Sequence, residues 1–324
     1  MATYNGGKYL QEQLDSFVAQ TRRPDELVIT DDGSTDDTLE VIKRFAQDAP
    51  FKVVWSQNKE NLGYAGNFNA ALMKTTGDLV FLSDQDDVWF PDKIERLEGL
   101  AETDQRTFVF MNDATLTDAN LVDTGLTKLG QIYAVGFEDR HFVMGCCSAI
   151  RREFLDLCLP IPFDFPTHDD WIVGIAGGLG RKRIIRDVLQ YYRRHGSNES
   201  QLTSNRTVPV NRWSVRISDL MTYITARRNP SSLTEIKKQP DLIKKKLLLE
   251  WAHKTAKLSP AGLVSDLCDY CEILDREYLG LERRHMIQSL GLPYRVIAAT
   301  RFWREGGYKQ FSGFDSALRD ILFS

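Results

Sequence analysis

Apolar residues in the first hundred positions switch between helical and strand spacing. Tyr9, Leu10, Leu14, Phe17 and Val18 recur as one helix face, and after the loop Arg22-Arg23-Pro24 the run Glu26-Leu27-Val28-Ile29-Thr30 reads as a strand. Leu39, Ile42, Phe45 and Ala46 mark a second helix, followed by a strand at Lys52-Val53-Val54-Trp55. Phe68, Ala71 and Leu72 mark a third helix, and residues 78–83 form the next strand. Strands separated by helices of this length predict right-handed βαβ units and an α/β fold with a mostly parallel sheet flanked by helices. From about residue 105 the pattern loosens into a strand at Thr107-Phe108-Val109-Phe110-Met111, a polar loop, and an apolar segment at 142–150. After Asn205 the spacing is helical to the end. This predicts a domain at 1–205 and a mainly helical C-terminal region at 206–324, with no internal repeat. Ala2-Thr3-Tyr4-Asn5-Gly6 reads as a strand-to-helix turn with no strand before it. The first strand is therefore expected to be missing or truncated, with the chain beginning a few residues late.

Two acidic turns fall at strand ends, where parallel α/β sheets hold their ligands. Asp84-Gln85-Asp86-Asp87 follows the run Asp78-Leu79-Val80-Phe81-Leu82, and carboxylates crowded in this way repel one another unless a cation sits among them. Oxygen-rich clusters suit Mg²⁺ or Mn²⁺, bound together with substrate phosphates. The plainer alternative is a helix cap by Asp86 or Asp87 ahead of Pro91. Asp31-Asp32-Gly33-Ser34 occupies the same rim. Its plain reading is an Asx turn followed by a helix cap at Ser34 or Thr35.

With 324 residues, 42% hydrophobic and 27% charged, the composition is that of an ordinary globular protein. No run approaches the roughly 20 apolar residues of a membrane span, and the start does not resemble a signal peptide. Five cysteines in so long a chain form no disulfide framework; Cys268-Asp-Tyr-Cys271 reads as two buried thiols one helical turn apart. These features place the protein in the cytosol. Charge is uneven: residues 1–205 hold 21 Lys+Arg against 32 Asp+Glu, and residues 206–324 hold 20 against 13. Lys237-Lys238 and Lys244-Lys245-Lys246, beside Leu247-Leu248-Leu249, Trp251 and Leu258, can lie on an anionic membrane surface or form a solvated helix face. A pI near 5.8 argues against nucleic acid as a partner.

Taken in order, the motifs resemble the inverting family 2 glycosyltransferases of GT-A fold. The resemblance runs over residues 2–200, through Ala2-Thr3-Tyr4-Asn5-Gly6, Asp31-Asp32-Gly33-Ser34-Thr35-Asp36, Asn61-Leu62-Gly63 with Asn67 and Asn69, Asp84-Gln85-Asp86-Asp87, His168-Asp169 and Tyr192-Arg193-Arg194-His195. The wording around Asp84 and His168 is most similar to bacterial rhamnosyltransferases of cell-wall and O-antigen assembly.

The resemblance implies a dTDP- or UDP-sugar donor, Mn²⁺ or Mg²⁺, and a lipid-linked glycan acceptor. By it, Ala2 and Tyr4 flank the nucleotide base, Asp32 accepts from the base's imide N–H, and Asp84 faces the ribose or a metal-bound water. Asp86 and His195 hold the metal, with Arg193 or Arg194 on the phosphates. Gly145 and Cys146 line the sugar pocket, and Asp169 is the general base, with Asp170 in reserve; His168 stands where Glu is more usual. Helix capping is the plain reading of Asp169 and Asp170, and a backbone-bonded loop residue that of His195. Rival readings are a UDP-hexose or N-acetylhexosamine transferase of the same fold, a nucleotidyltransferase, and a catalytically silent glycan-binding or scaffolding relative. A nucleotidyltransferase would want a Gly-rich, basic phosphate loop after the first strand, and Asn5-Gly6-Gly7-Lys8 is a thin version of one.

Overall fold

In the computed structural model, residues 1–196, 198, 203–211, 240–257, 261–311 and 313–322 are described. The N-terminal βαβ pattern folds as the apolar periods dictate. Strands β1 (Ala2–Thr3), β2 (Glu26–Asp31) and β3 (Lys52–Gln57) form a three-stranded parallel sheet in that order. Helices α1 (Gly7–Val18), α2 (Thr38–Asp48) and α3 (Gly63–Leu72) connect and cover it. The stripe Leu10, Leu14 and Phe17 is buried with Ile29, Val41 and Ile42 in one core. The first strand, expected to be missing or truncated, is short. At two residues, paired Ala2 to Thr30 and Thr3 to Asp31, it is too brief to leave an apolar run.

A second, six-stranded sheet is mixed. It contains β4 (Leu79–Phe81), β5 (Val88–Trp89), β6 (Val109–Thr117), β7 (Asp123–Thr127), β8 (Ser148–Arg151) and β9 (Lys182–Arg193), in the order β4-β8-β6-β9-β5 with β7 on β6. Only β6 and β9 pair in parallel; β4 runs antiparallel to β8. Helices α4 (Lys93–Thr103), α5 (Lys128–Ala134), α6 (Arg152–Cys158) and α7 (His168–Gly178) complete this part.

The chain divides into two compact units, Met1–Leu233 and Thr234–Ser324, later than the boundary expected near residue 205. Gln131 on α5 donates from Nε2 to the carbonyls of Arg206 (2.9 Å) and Val208 (2.8 Å), and its Oε1 accepts from the Val210 N–H. These bonds tie residues 206–210 to the first unit.

The second unit, as described, consists of α8 (Pro240–Ala256), α9 (Ala261–Ser289), α10 (Leu292–Arg304) and α11 (Phe314–Leu322). Asp320, fully buried, gathers Arg284 through two 2.9 Å bonds, Gln288 and the Tyr308 hydroxyl. Cys271 is buried but Cys268 is exposed, so the pair does not lie on one packed face as expected. Leu248 is buried and Leu247, Leu249 and Trp251 are half-buried, so this segment does not present an open apolar surface. Lys245 pairs with Glu277, and the Lys246 side chain is exposed. Lys237, Lys238 and Leu258 lie outside the described residues. Among the described residues no helix is long and apolar enough to cross a membrane.

Asp31 joins β1 to β2 at the rim. Its fully buried carboxylate accepts from the N–H groups of Gly33 (3.2 Å) and Ser34 (2.9 Å), the Asx turn expected here, and from the Thr3 hydroxyl (2.9 Å). Gly33 takes the positive φ of 87° that the turn requires. Asp31→Ala is expected to lower unfolding free energy by about 1–3 kcal/mol, the usual cost of stranding buried donors. Urea denaturation followed by circular dichroism will measure it, with Asp31→Asn expected to lose less.

Candidate active site

The rim loops are held together by side-chain amides. Gln85 Oε1 accepts from the Tyr4 N–H at 2.9 Å and its Nε2 donates back to the Tyr4 carbonyl at 3.1 Å. Gln13 donates to Ser83 Oγ at 2.7 Å, and Asn67 donates to the Thr3 carbonyl at 3.0 Å. The loops after β1 and β4 are thus fixed against each other, with the Tyr4 side chain left 52% exposed. Ala2 sits just below, in β1.

Asp32 is nearly buried, at 3% exposure. Its Oδ1 accepts from Asn58 Nδ2 (2.9 Å) and the Leu62 N–H (2.8 Å), and Oδ2 from the Gly63 N–H (2.9 Å). It therefore satisfies the start of α3, a capping task expected of Ser34 or Thr35 for the next helix instead. Ser34 Oγ accepts from the Asn5 N–H, and α2 begins only at Thr38, whose N–H is met by Asp36.

Each residue of the acidic loop has its own partners. Asp86 Oδ2 meets His195 Nε2 at 2.8 Å and accepts from Asn198 Nδ2 at 2.9 Å. His195 is thus not merely bonded to backbone; its ring also stacks on Tyr9 at 4.6 Å. Asp87 is fully buried and accepts from Gln190 Nε2 at 2.9 Å and the Arg193 N–H at 3.3 Å. Burial, then the charges of Asp86 and Asp84, push its carboxyl well above the usual range. Asp84 is raised to about 7, by burial first and then by Asp86 and Asp169, with the Cys146 thiol pulling the other way. Asp84, Asp87 and Cys146 offer ligand atoms that all lie within 4.8 Å of one another. These three form a cluster of three candidate donors, and Asp86 with His195 forms a closer pair. Below them Lys93, fully buried, donates to the Cys146 carbonyl at 2.7 Å and to Gln190, with its ammonium 3.9 Å from the Trp89 ring centroid. Burial lowers its pKa to about 8.

Arg193 corrects an expectation. Its guanidinium is 2% exposed and faces inward: Nε donates to the Asp86 carbonyl (2.8 Å), Nη1 to the Ala119 carbonyl (2.9 Å), and Nη2 to Glu12. A buried guanidinium must spend its donors on the protein, so Arg193 braces the acidic loop instead of reaching phosphate oxygens. Arg194 is half-buried and sits against Tyr192.

Helix α7 starts at His168, three residues earlier than expected, so Asp169 and Asp170 lie in its first turn instead of capping it. The helix dipole favours negative charge there. Asp169 Oδ1 accepts from the Asp170 N–H at 2.9 Å. Gly145 is needed by close approach: a Cβ on it would lie 2.7 Å from His168 Nε2 and 3.4 Å from Asp169 Cβ. Bulk at Gly145 would therefore clash beside Asp169, and the neighbouring Cys146 thiol meets Asp84. Tyr64, in the first turn of α3, is close enough to Asp84 and Asp169 for both, after burial, to raise its hydroxyl pKa.

Sequence reasoning missed Gln85, Tyr64, Lys93 and Gln190. Gln85 was visible inside the acidic motif. Nothing marks Lys93 as a buried lysine, since it lies in an otherwise ordinary amphipathic helix start.

The family model for glycosyl transferase family 2 matches residues 1–158. An uncharacterized glycosyltransferase of Nostoc sp. is 31% identical over 219 residues, which take in 64% of this chain and 67% of that one. The dTDP-rhamnosyl transferase RfbG of Shigella flexneri is 36% identical over 99 residues, 29% of this chain and 34% of its own. Residues 1–349 of S. aureus TarS, solved in complex with UDP-GlcNAc, superpose with a TM-score of 0.55 at 17% identity, over 99% of this chain and 86% of that structure. This likeness shows the GT-A α/β fold. The chain belongs to glycosyl transferase family 2, and it is a glycosyltransferase.

Protonation of Asp84 gives a test of the crowded site. An unfolded aspartate titrates near pH 3.9, roughly, and the native one near 7, so native Asp84 keeps a proton that the unfolded chain has lost. The stability this contributes is present below about pH 4 and is lost as pH rises through 7. In chelator, wild type should therefore lose melting temperature between about pH 5 and 7.5 more steeply than Asp84→Asn. Calorimetry of the two proteins will check it, and added Mn²⁺ should flatten the wild-type slope.

Proposed function

We propose that the protein transfers L-rhamnose from dTDP-rhamnose, with inversion, to a lipid-linked or polysaccharide acceptor in the assembly of a bacterial cell-surface polysaccharide. The observation that carries this reading is Asp169 standing over Gly145, beside the acidic loop, close enough to Asp84 to raise its pKa. One carboxylate at a helix start thus faces the place where a donor diphosphate would lie. The likeness to RfbG over 99 residues favours a dTDP-sugar.

The donor set fits a divalent cation, Mn²⁺ or Mg²⁺: crowded carboxylates with raised pKa values are what a dication would hold ionised. Asp86 and His195 would hold it with the carboxylates of Asp84 and Asp87, whereas the protonated Cys146 thiol is a poor ligand for so hard a cation. When bound, it would supply charge neutralisation for the leaving diphosphate. Tyr4, exposed on the rim, offers its ring to the base. Asp32 Oδ2 has one donor and lone-pair room for the base imide N–H, reached once the Leu62-Gly63 turn yields. Uracil and thymine share that imide, so the sugar pocket decides between dTDP-rhamnose and the UDP-hexose or UDP-N-acetylhexosamine alternative. Asp169 takes the acceptor hydroxyl's proton during backside attack, with Asp170 behind it.

The acceptor's lipid places the work at the cytoplasmic face of a membrane. The second unit has an apolar surface for such contact. Tyr294 (70% exposed), Ile297, Trp303, Phe314 and Leu322 are exposed on α10 and α11, with Arg301, Arg304 and Arg319 on the same helices. These two helices would thereby serve as the peripheral anchor within residues 206–324.

Asp169→Asn should lower transfer from dTDP-rhamnose by roughly 10²- to 10⁴-fold, the usual worth of a positioned base, with donor affinity little changed. NMR of the product should show inverted anomeric configuration. Wild-type rates in the variant, a retained configuration, or equal affinity for GDP- and dTDP-sugars would overturn the proposal. Flotation with anionic liposomes should recover the protein at low salt and less of it at high salt. Recovery indifferent to lipid charge and salt would remove the anchor from the reading.

A further inference from the structure

His168 is a polar side chain for which the packing around it has no use. It is fully buried, and neither Nδ1 nor Nε2 has a hydrogen-bond partner. Phe68 stacks on the ring at 3.7 Å between centroids, 20° from parallel, and Tyr64 leans on it at 4.9 Å, tilted by 58°. A phenylalanine would fill the same space without stranding two polar atoms. Only the absence of a side chain at Gly145 gives Nε2 its place: a Cβ there would lie 2.7 Å from Nε2 and 3.4 Å from Asp169 Cβ.

The surroundings define what could satisfy the ring. Burial lowers its pKa to about 4, so at neutral pH it is uncharged, with one nitrogen donating and the other accepting. Asp169 is its chain neighbour, and Asp84 and Asp169 both act on Tyr64, the residue that covers it. A phosphate would meet the carboxylates of Asp84 and Asp169 here. A sugar hydroxyl donates and accepts equally well and carries no charge. Tyr64 is 36% exposed, so it is a cover that an incoming ring can displace.

We propose that His168 binds a hydroxyl of the transferred sugar through Nε2 over Gly145, with Tyr64 turning aside to admit it. This rests on the nucleotide-sugar reading above and adds to it the residue that grips the sugar. It also gives a reason for histidine at the position before the base: a neutral two-way partner avoids adding another carboxylate to a site already crowded with them.

The test compares wild type with His168→Phe, which keeps the stack on Phe68, and His168→Gln, which keeps a donor and an acceptor. Calorimetric titration with UDP, dTDP, UDP-glucose and dTDP-rhamnose gives the affinity gained from each sugar. The Phe variant should bind UDP and dTDP as wild type does and melt no lower. Its affinity gain from the preferred sugar should fall by about tenfold or more, the worth of a good hydrogen bond, and kcat/KM should fall with it. The Gln variant should recover part of both. Equal sugar gains in wild type and His168→Phe would overturn the inference while leaving the nucleotide-sugar reading intact. A wild type that binds none of the four nucleotides would instead bring down that reading and this one together.

Discussion

Carboxylate crowding is the constraint around which the first unit is organised. Asp31, Asp32, Asp84, Asp86, Asp87 and Asp169 come from the ends of β2 and β4 and from the start of α7, and most are withdrawn from water. Charges in such a place are tolerated only with donors or counter-charge. The outer ones are supplied with donors by the fold itself. Asp31 and Asp32 receive backbone N–H groups, Asp86 receives Asn198 and meets His195, and Asp87 receives Gln190 and the Arg193 N–H. Asp84 and Asp87, facing the Cys146 thiol, keep raised pKa values. The uncompensated negative charge is concentrated at Asp84 and Asp87.

Buried cations are used to frame this spot without filling it. Arg193 spends its guanidinium on the Asp86 carbonyl, Ala119 and Glu12, while Lys93 points its ammonium at the Cys146 carbonyl, Gln190 and the Trp89 face. Both hold backbone on either side of the acidic loop. Preorganisation of this kind keeps the carboxylates from relaxing apart, which is what an electrostatic site requires.

The two units solve the same problem differently. In the second, one buried carboxylate, Asp320, is fully matched by Arg284, Gln288 and Tyr308, and so acts as a structural clasp between α9, α11 and the turn at Tyr308. A buried charge can thus be structural as well as functional, and a shifted pKa alone does not separate the two.

Local patterning determined a good deal. The periods of Leu10, Leu14, Phe17 and of Val28, Ile29 prescribe the βαβ start, because burial of one helix face and a whole strand depends on near neighbours in the chain. The Asx turn at Asp31 and the acidic motifs at strand ends were legible for the same reason, as was the family, from motifs in order. What only tertiary structure decided depends on groups distant in sequence. The antiparallel pairing of β4 with β8 follows from how residues 105–151 return to the sheet. Residues 206–210 dock on Gln131 of the first unit, far from them in sequence. Whether an arginine meets solvent or the core, as at Arg193, or a histidine is left without partners, as at His168, is set by residues scores of positions away. A side chain's type announces what bonds it can make; only the packed fold decides which of them are made.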